Sequence, residues 1–142
     1  MAIFKPFKAF RPQASLSQAV ASKPYDVLDS SEAKDEAEGN PHSFLRVSKP
    51  EIELSEETDP YSDEVYEKGR ENFLKLCQDG VFMQDAAPSY YLYRLTMNGR
   101  SQAGLVGCCE YQEYYDGRIK KHELTRTVKE NDRVRHVERL NA

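Results

Sequence analysis

The chain has 142 residues, 39% hydrophobic and 31% charged, a length that suits one domain able to bury its own core. Its 20 Lys+Arg against 24 Asp+Glu give a net charge of −4, which argues against a general nucleic-acid binder, since that needs an excess of cations to displace counterions. No apolar run of about 18 residues is present to span a bilayer, and Met1–Pro12 lacks the apolar centre of a signal peptide, so a cytoplasmic domain is expected.

Ile3–Phe10 reads as an extended edge strand, because Pro6 removes a ladder donor. Ser15–Ala21 suits a short helix with Leu16 and Val20 on one face, and Lys23-Pro24 then forces an extended loop into Tyr25-Asp26. Asp29 with Glu32 forms a capping-box pattern, predicting a helix to Glu38 that stops at Gly39. Phe44–Val47 reads as a short strand, and the acidic, proline-bearing stretch Lys49–Tyr61 as a long solvated loop.

Ser62 or Asp63 opens the clearest helix, with Tyr66, Gly69, Phe73, Leu76 and Cys77 at helical spacing and Gly80 as its end. Val81–Met83 follows as a strand. Asn98-Gly99 is a type I′ turn signal, so Ser89–Met97 and Arg100–Gln112 pair as a hairpin. Met97 then faces Arg100, Tyr93 faces Gly104 and Tyr90 faces Gly107. Both hairpin faces are partly apolar, which predicts cover on both sides. Asp116-Gly117 is a second turn, and a last helix runs from about Val128 through Val134, Val137 and Leu140. That helix meets no stop signal, so the chain reads as the N-terminal part of a longer protein, with a natural frayed C-terminus as the alternative. Cys77, Cys108 and Cys109, with no CxxC pair, read as small buried hydrophobes in a reducing compartment.

The strongest chemical signal is the run Lys120–His136, where the basic excess gathers. Lys129, Arg133 and His136 share one helix face at i, i+4 and i+7, a face that can hold an anion. An i, i+4 ion pair of Asp132 with His136 is the structural alternative. Glu123 beside His122 can act as a base or a metal carboxylate, and Asp26 joins them if the fold brings it near. His42, His122 and His136 show no HExxH, so no metal site is expected. There is no GxSxG, P-loop or GxGxxG. The tyrosines Tyr90, Tyr91, Tyr93, Tyr111, Tyr114 and Tyr115 suit packing better than base stacking in an acidic chain.

Four blocks, Phe4–Pro12, Ser22–Val27, Asn40–Val47 and Lys120–Arg126, resemble the prokaryotic family called domain of unknown function 1015. Lys23 stands where that family usually has a second proline, and Thr127-Val128 replaces a proline followed by an acid. The resemblance implies a longer protein whose downstream half carries a Gly-His-His-Arg box, similar to the phosphate-binding box of the ParB and sulfiredoxin superfamily, which includes free-serine kinases. It implies a nucleotide-dependent kinase of a small hydroxyl substrate, with ATP or ADP and Mg as co-substrate. In that reading Glu123, Asp26 and His122 are catalytic, and Lys121, Arg126, Lys129 and Arg133 bind the phosphates. The half carrying that box is absent here, so the fragment alone is expected to be inactive. The fold expected is α+β, a small mixed or antiparallel sheet around the Tyr-rich hairpin with helices packed on it, ParB/sulfiredoxin-like in outline. The rival expectation is a non-catalytic module contacting nucleic acid or an acidic partner; oligomeric state is left open.

Overall fold

The computed structural model describes residues 2–120 and 126–140. In chain order the elements are β1 (Phe4–Lys5), β2 (Phe10–Pro12), α1 (Ser17–Val20), α2 (Ser30–Ala37), α3 (Leu45–Ser48), a 3₁₀ helix (Pro50–Glu53), α4 (Asp63–Gln78), β3 (Phe82–Gln84), β4 (Tyr91–Met97), β5 (Arg100–Val106), β6 (Cys108–Cys109), α5 (Gln112–Tyr115) and α6 (Thr127–Leu140). The fold is α+β with small antiparallel sheets. The chain forms two compact units: Met1–Arg11 with Gln84–Leu124, and Pro12–Met83 with Thr125–Ala142.

The second unit is helical and holds the hydrophobic core. Asp29 caps α2 as its sequence requires: its Oδ1 accepts from the Glu32 amide at 2.8 Å, and the Glu32 carboxylate accepts from the Asp29 amide at 3.0 Å. The helix ends before Gly39, whose φ of +67° is the left-handed value that favours glycine. Its buried face, Ala33 and Ala37, packs with Leu45 and Ile52. A second cluster joins Val20, Val47, Phe73, Leu76, Val81 and Phe82, with Leu140 of α6 packed against it.

In α4, Val65, Tyr66, Gly69, Phe73 and Leu76 form the buried stripe. Gly69 is there for closeness. A Cβ at that position would lie 3.1 Å from the Val47 carbonyl oxygen, 3.2 Å from Pro50 Cγ and 3.7 Å from His136 Cε1. The glycine therefore lets α3, the 3₁₀ helix and α6 approach one side of α4.

Two expectations fail in this unit. Phe44–Val47 is not a strand; Leu45–Ser48 is the single-turn helix α3. A four-residue apolar run carries no period long enough to separate helix from strand. Here local bonds decide: the Ser48 amide donates to the Phe44 carbonyl at 3.0 Å and the Lys49 amide to the Leu45 carbonyl at 2.8 Å. Nor is Lys49–Tyr61 wholly a solvated loop. Pro50 sits at the first turn of a 3₁₀ helix, where its missing N–H costs nothing, and Pro50 and Ile52 are buried. Two of its acids are engaged: Glu51 pairs with Lys49, and Glu53 with Arg46 and Lys68. Arg46 also donates to the carbonyls of Ala37 at 2.8 Å and Asn40 at 3.0 Å, closing the end of α2.

The first unit is built on hydrogen bonds and ring contacts. Phe4 and Lys5 pair with Cys109 and Cys108. Glu113, almost fully buried, accepts from the Ile3 amide at 2.8 Å and from Arg118 at 3.2 Å. The hairpin register is the one Asn98-Gly99 predicts, with Met97 opposite Arg100 and Tyr93 opposite Gly104; the two turn residues have φ of 51° and 76°. The ladder ends at Tyr91 opposite Val106, short of Tyr90. The space beside Gly107 is taken by Phe4, whose Cζ lies 2.6 Å from where a Cβ would stand, and Tyr90 stacks on that same ring at 5.4 Å.

Three packing expectations are corrected here. The hairpin is not covered on both sides: Leu92, Tyr93, Leu95, Met97 and Leu105 are exposed. Tyr90, Tyr93, Tyr111, Tyr114 and Tyr115 are likewise exposed rather than core. Cys108 and Cys109 are exposed, because a two-residue strand has no second layer over it, and Cys77 of α4 is half-buried against the core. In α6, Val128, Val134 and Val137 face outward; the buried residue is His136. Among the described residues no helix is long and apolar enough to cross a membrane.

Candidate functional site

A cavity of about 320 Å³ in the helical unit draws its lining from four parts of the chain. The Tyr25–Ser30 segment supplies Tyr25, Asp26 and Asp29; the 3₁₀ helix and the residue before it supply Glu51 and Lys49; the start of α4 supplies Val65; and α6 supplies Lys129, Asp132, Arg133 and His136. The i, i+4, i+7 spacing of Lys129, Arg133 and His136 does put all three on the face that meets the cavity. Asp26, about a hundred residues away in sequence, lines it with them.

The α6 face is locked from below. Tyr66, buried in α4, donates its hydroxyl to Asp132 at 2.8 Å. Burial and the Asp132 carboxylate push the Tyr66 phenol up to about 12. Arg133 donates through Nε at 3.0 Å to the other oxygen of Asp132, so that carboxylate is used on both sides. The alternative pairing of Asp132 with His136 is not formed. Outside this pair, Arg135 reaches the Tyr61 carbonyl and Asp63, each at 2.7 Å, and Arg139 reaches Glu67 at 2.7 Å.

His136 is only 7% exposed. Its ring stands edge-on to Tyr66, with centroids 5.1 Å apart and planes at 82°. No hydrogen-bond partner among the described residues holds its ring nitrogens. Burial is the main cause that drives its pKa below the ordinary value, with Arg133 adding to it and Asp132 and Glu51 opposing. The imidazole is therefore neutral near pH 7, and it lines the cavity.

The charges above it are mostly spent on one another. Lys49 pairs with Glu51 at 2.9 Å, with side chains only 14% and 13% exposed, and Ser30 donates to the same Glu51 oxygen at 3.0 Å. Arg133 lies over the Tyr25 ring, Cζ 3.9 Å from its centroid, a cation–π contact that fixes the guanidinium plane. Lys129, 6.0 Å from the same ring, makes no ion pair among the described residues. The lining carries Lys49, Lys129 and Arg133 against Asp26, Asp29, Glu51 and Asp132. By count this is a mixed-charge cavity and not a purely positive one. It suits a small polar ligand that carries both signs, or an anion seated at the Lys129 corner. Among the described residues no three His, Cys, Asp or Glu side chains converge to hold a metal ion.

Of the residues expected at the site, Asp26, Lys129 and Arg133 meet in this cavity. Arg126 is exposed just before α6 and does not line it. Lys121, His122 and Glu123 lie outside the described residues. Tyr25, Lys49 and Glu51 were not legible as site residues. Tyr25 stands beside Asp26 in the stiff loop after Pro24, which is the one local hint; Lys49 and Glu51 come together only because a 3₁₀ turn closes around Pro50.

No curated protein and no solved structure gives a significant match to the chain. A family model described as a protein of unknown function, DUF1015, matches residues 4–142, nearly the whole length. The four sequence blocks and this match agree, and the chain belongs to the DUF1015 family.

Proposed function

We propose that this chain forms the small-substrate wall of a nucleotide-dependent phosphotransferase acting on a hydroxyl-bearing, amino-acid-sized molecule. The observation that carries the reading is the meeting of Asp26 with Lys129, Arg133 and a neutral His136 around one cavity. At about 320 Å³ it stands at the small end of ligand pockets, the size of a small metabolite or of the phosphate end of a nucleotide. Lys129 takes a phosphate oxygen as a point charge, and Arg133, held flat by Tyr25, presents the rest of its fork. Asp26, exposed at the rim, accepts the proton of the attacking hydroxyl. His136 offers a neutral nitrogen to hydrogen-bond the substrate. Mg²⁺ arrives with ATP, whose phosphates supply oxygen ligands, and the likeness to ParB/sulfiredoxin-type kinases belongs to this same reading.

The test titrates the full chain with MgATP, MgADP and inorganic phosphate by calorimetry, then measures ADP release with hydroxyl amino acids present. Saturable binding weakened about tenfold in Lys129→Ala is expected, that being one charge-assisted contact. Asp26→Asn should leave that binding unchanged and lower any ADP release. Absence of saturable binding sinks the reading. Strongly salt-dependent binding to single-stranded DNA, with no nucleotide effect, favours the non-catalytic module instead.

A further inference from the structure

A second cavity of the helical unit, about 570 Å³, shares no lining residue with the one around Asp26. One wall is a face of α4, where Lys68, Asn72, Lys75 and Asp79 stand at i, i+4, i+7 and i+11. The rest comes from Pro41 and His42 after α2, from Arg46 of α3 and from Glu53 at the end of the 3₁₀ helix. These parts are held in place. Asn40 Oδ1 accepts from the His42 amide at 3.1 Å, and Asn40 Nδ2 donates to the Ala19 carbonyl at 2.7 Å. Arg46 closes the end of α2, and the Asn72 amide group donates to the Arg46 carbonyl at 2.7 Å.

The bonding capacity left over in this cavity is one-sided. Burial raises the Glu53 carboxyl, but donors from Arg46, Asn72 and Lys68 outweigh it and hold the group below its ordinary value. Its two oxygens are thus charged and already taken by three partners. The cations are not used up. Arg46 spends three of its five N–H donors, on Ala37, Asn40 and Glu53. Lys68 spends one of three on Glu53, and Lys75 one of three on Asp79 at 2.8 Å. Neither ring nitrogen of half-buried His42 has a partner among the described residues. The spare acceptors are fewer: the Asn72 amide oxygen and one oxygen of Asp79, which is half exposed at the rim. Arg46, Lys68 and Lys75 stand against Glu53 and Asp79, so the lining is cationic in a chain of net charge −4. Arg46 and Lys68 meet at the same carboxylate, with side chains 25% and 30% exposed, so their free donors lie close together and partly out of water. Pro41 and Leu76 add an apolar strip. The volume is that of a small-molecule pocket, and a bare inorganic ion would leave most of it empty.

We infer that this second cavity binds a small phosphate monoester. The spare donors of Arg46 and Lys68 take the phosphate, Lys75 closes over it from the rim, and the organic body lies on Pro41 and Leu76. The site is separate from the proposed phosphotransfer cavity and stands or falls apart from it.

The test follows the ring protons of His42 and His136 by NMR as inorganic phosphate or phenyl phosphate is added to the full chain at constant ionic strength. His42→Gln and His136→Gln assign the two signals. His42 reports this cavity and His136 the one around Asp26. A saturable His42 shift is expected with both probes, tighter for phenyl phosphate, and it should persist in Lys129→Ala. Lys68→Gln should weaken it about tenfold, that being one charge-assisted contact. Lys75→Gln, at a side chain 72% exposed and outside the Glu53 network, should weaken it severalfold, and Asp79→Asn, which frees Lys75, should tighten it. Circular dichroism and urea unfolding check that each variant is folded. The absence of a saturable His42 shift overturns the inference. A shift confined to His136 also overturns it, while leaving the phosphotransfer reading intact. So does binding that neither lysine variant weakens, or benzoate binding as tightly as phenyl phosphate.

Discussion

Two residues of the helical unit expose how tightly its site is held. Gly69 costs α4 about 1 kcal/mol in helix propensity relative to alanine. Its bare Cα is nonetheless required, since a Cβ would crowd the Val47 carbonyl and Pro50 at 3.1 and 3.2 Å. Gly69→Ala should therefore destabilise by about 1 kcal/mol net, overpacking outweighing propensity; a rise in the urea midpoint would show the neighbours move aside freely. His136 gives a pH signature. Its folded pKa lies below the ordinary 6.5, so the unfolded chain binds the proton more readily. The stability it contributes is full above 6.5 and is lost as pH falls toward and through the folded value. Unfolding midpoints should drop as pH falls below about 6.5, and His136→Gln should flatten that slope. The carboxylates of Glu53 and Asp85, held low by Arg46, Asn72 and Lys68 for Glu53 and by Arg11 and Tyr91 for Asp85, act in a more acidic range.

At the scale of elements, local chemistry decides where side chains can close their own bonds. The α2 capping box is one case: Asp29→Ala should cost about 1 kcal/mol, read as a shift of the thermal midpoint, because the Glu32 amide loses its acceptor. The Asn98-Gly99 turn is another, and so is the α4 stripe. In each the signal spans enough residues, or uses a special enough backbone angle, to exclude alternatives. Phe44–Val47 offers neither, and its turn is chosen by neighbours: the Phe44 amide donates to the Val20 carbonyl at 3.1 Å, and Leu45 and Val47 drop into two different core clusters. The α6 stripe shows the opposite failure. Its valines have the right spacing for a buried face, yet the polar face carrying Asp132 and His136 is the one that meets α4, through Tyr66.

For the molecule as a whole, the two units differ in what holds them. Every buried hydrophobic residue of the described chain lies between Val20 and Phe82, in the helical unit. The other unit rests on the Tyr91 and Glu113 hydrogen bonds, the Arg11–Asp85 ion pair and stacked rings. Opening free energies follow buried apolar contact. Hydrogen exchange by mass spectrometry should show the β4–β5 amides exchanging well before those of α4; equal protection would contradict this division.

The linear chain by itself determined the α+β class, the capped α2, the α4 stripe, the hairpin register and the cationic face of α6, because each depends on residues within a few positions of one another. It also carried the family, in four blocks read in order. Tertiary structure alone decided that Asp26 shares a cavity with Lys129 and Arg133, that Lys49 and Glu51 pair inside it, and that His136 is buried and neutral. Those outcomes depend on which surfaces lose water when distant segments pack, and desolvation leaves no mark on local spacing.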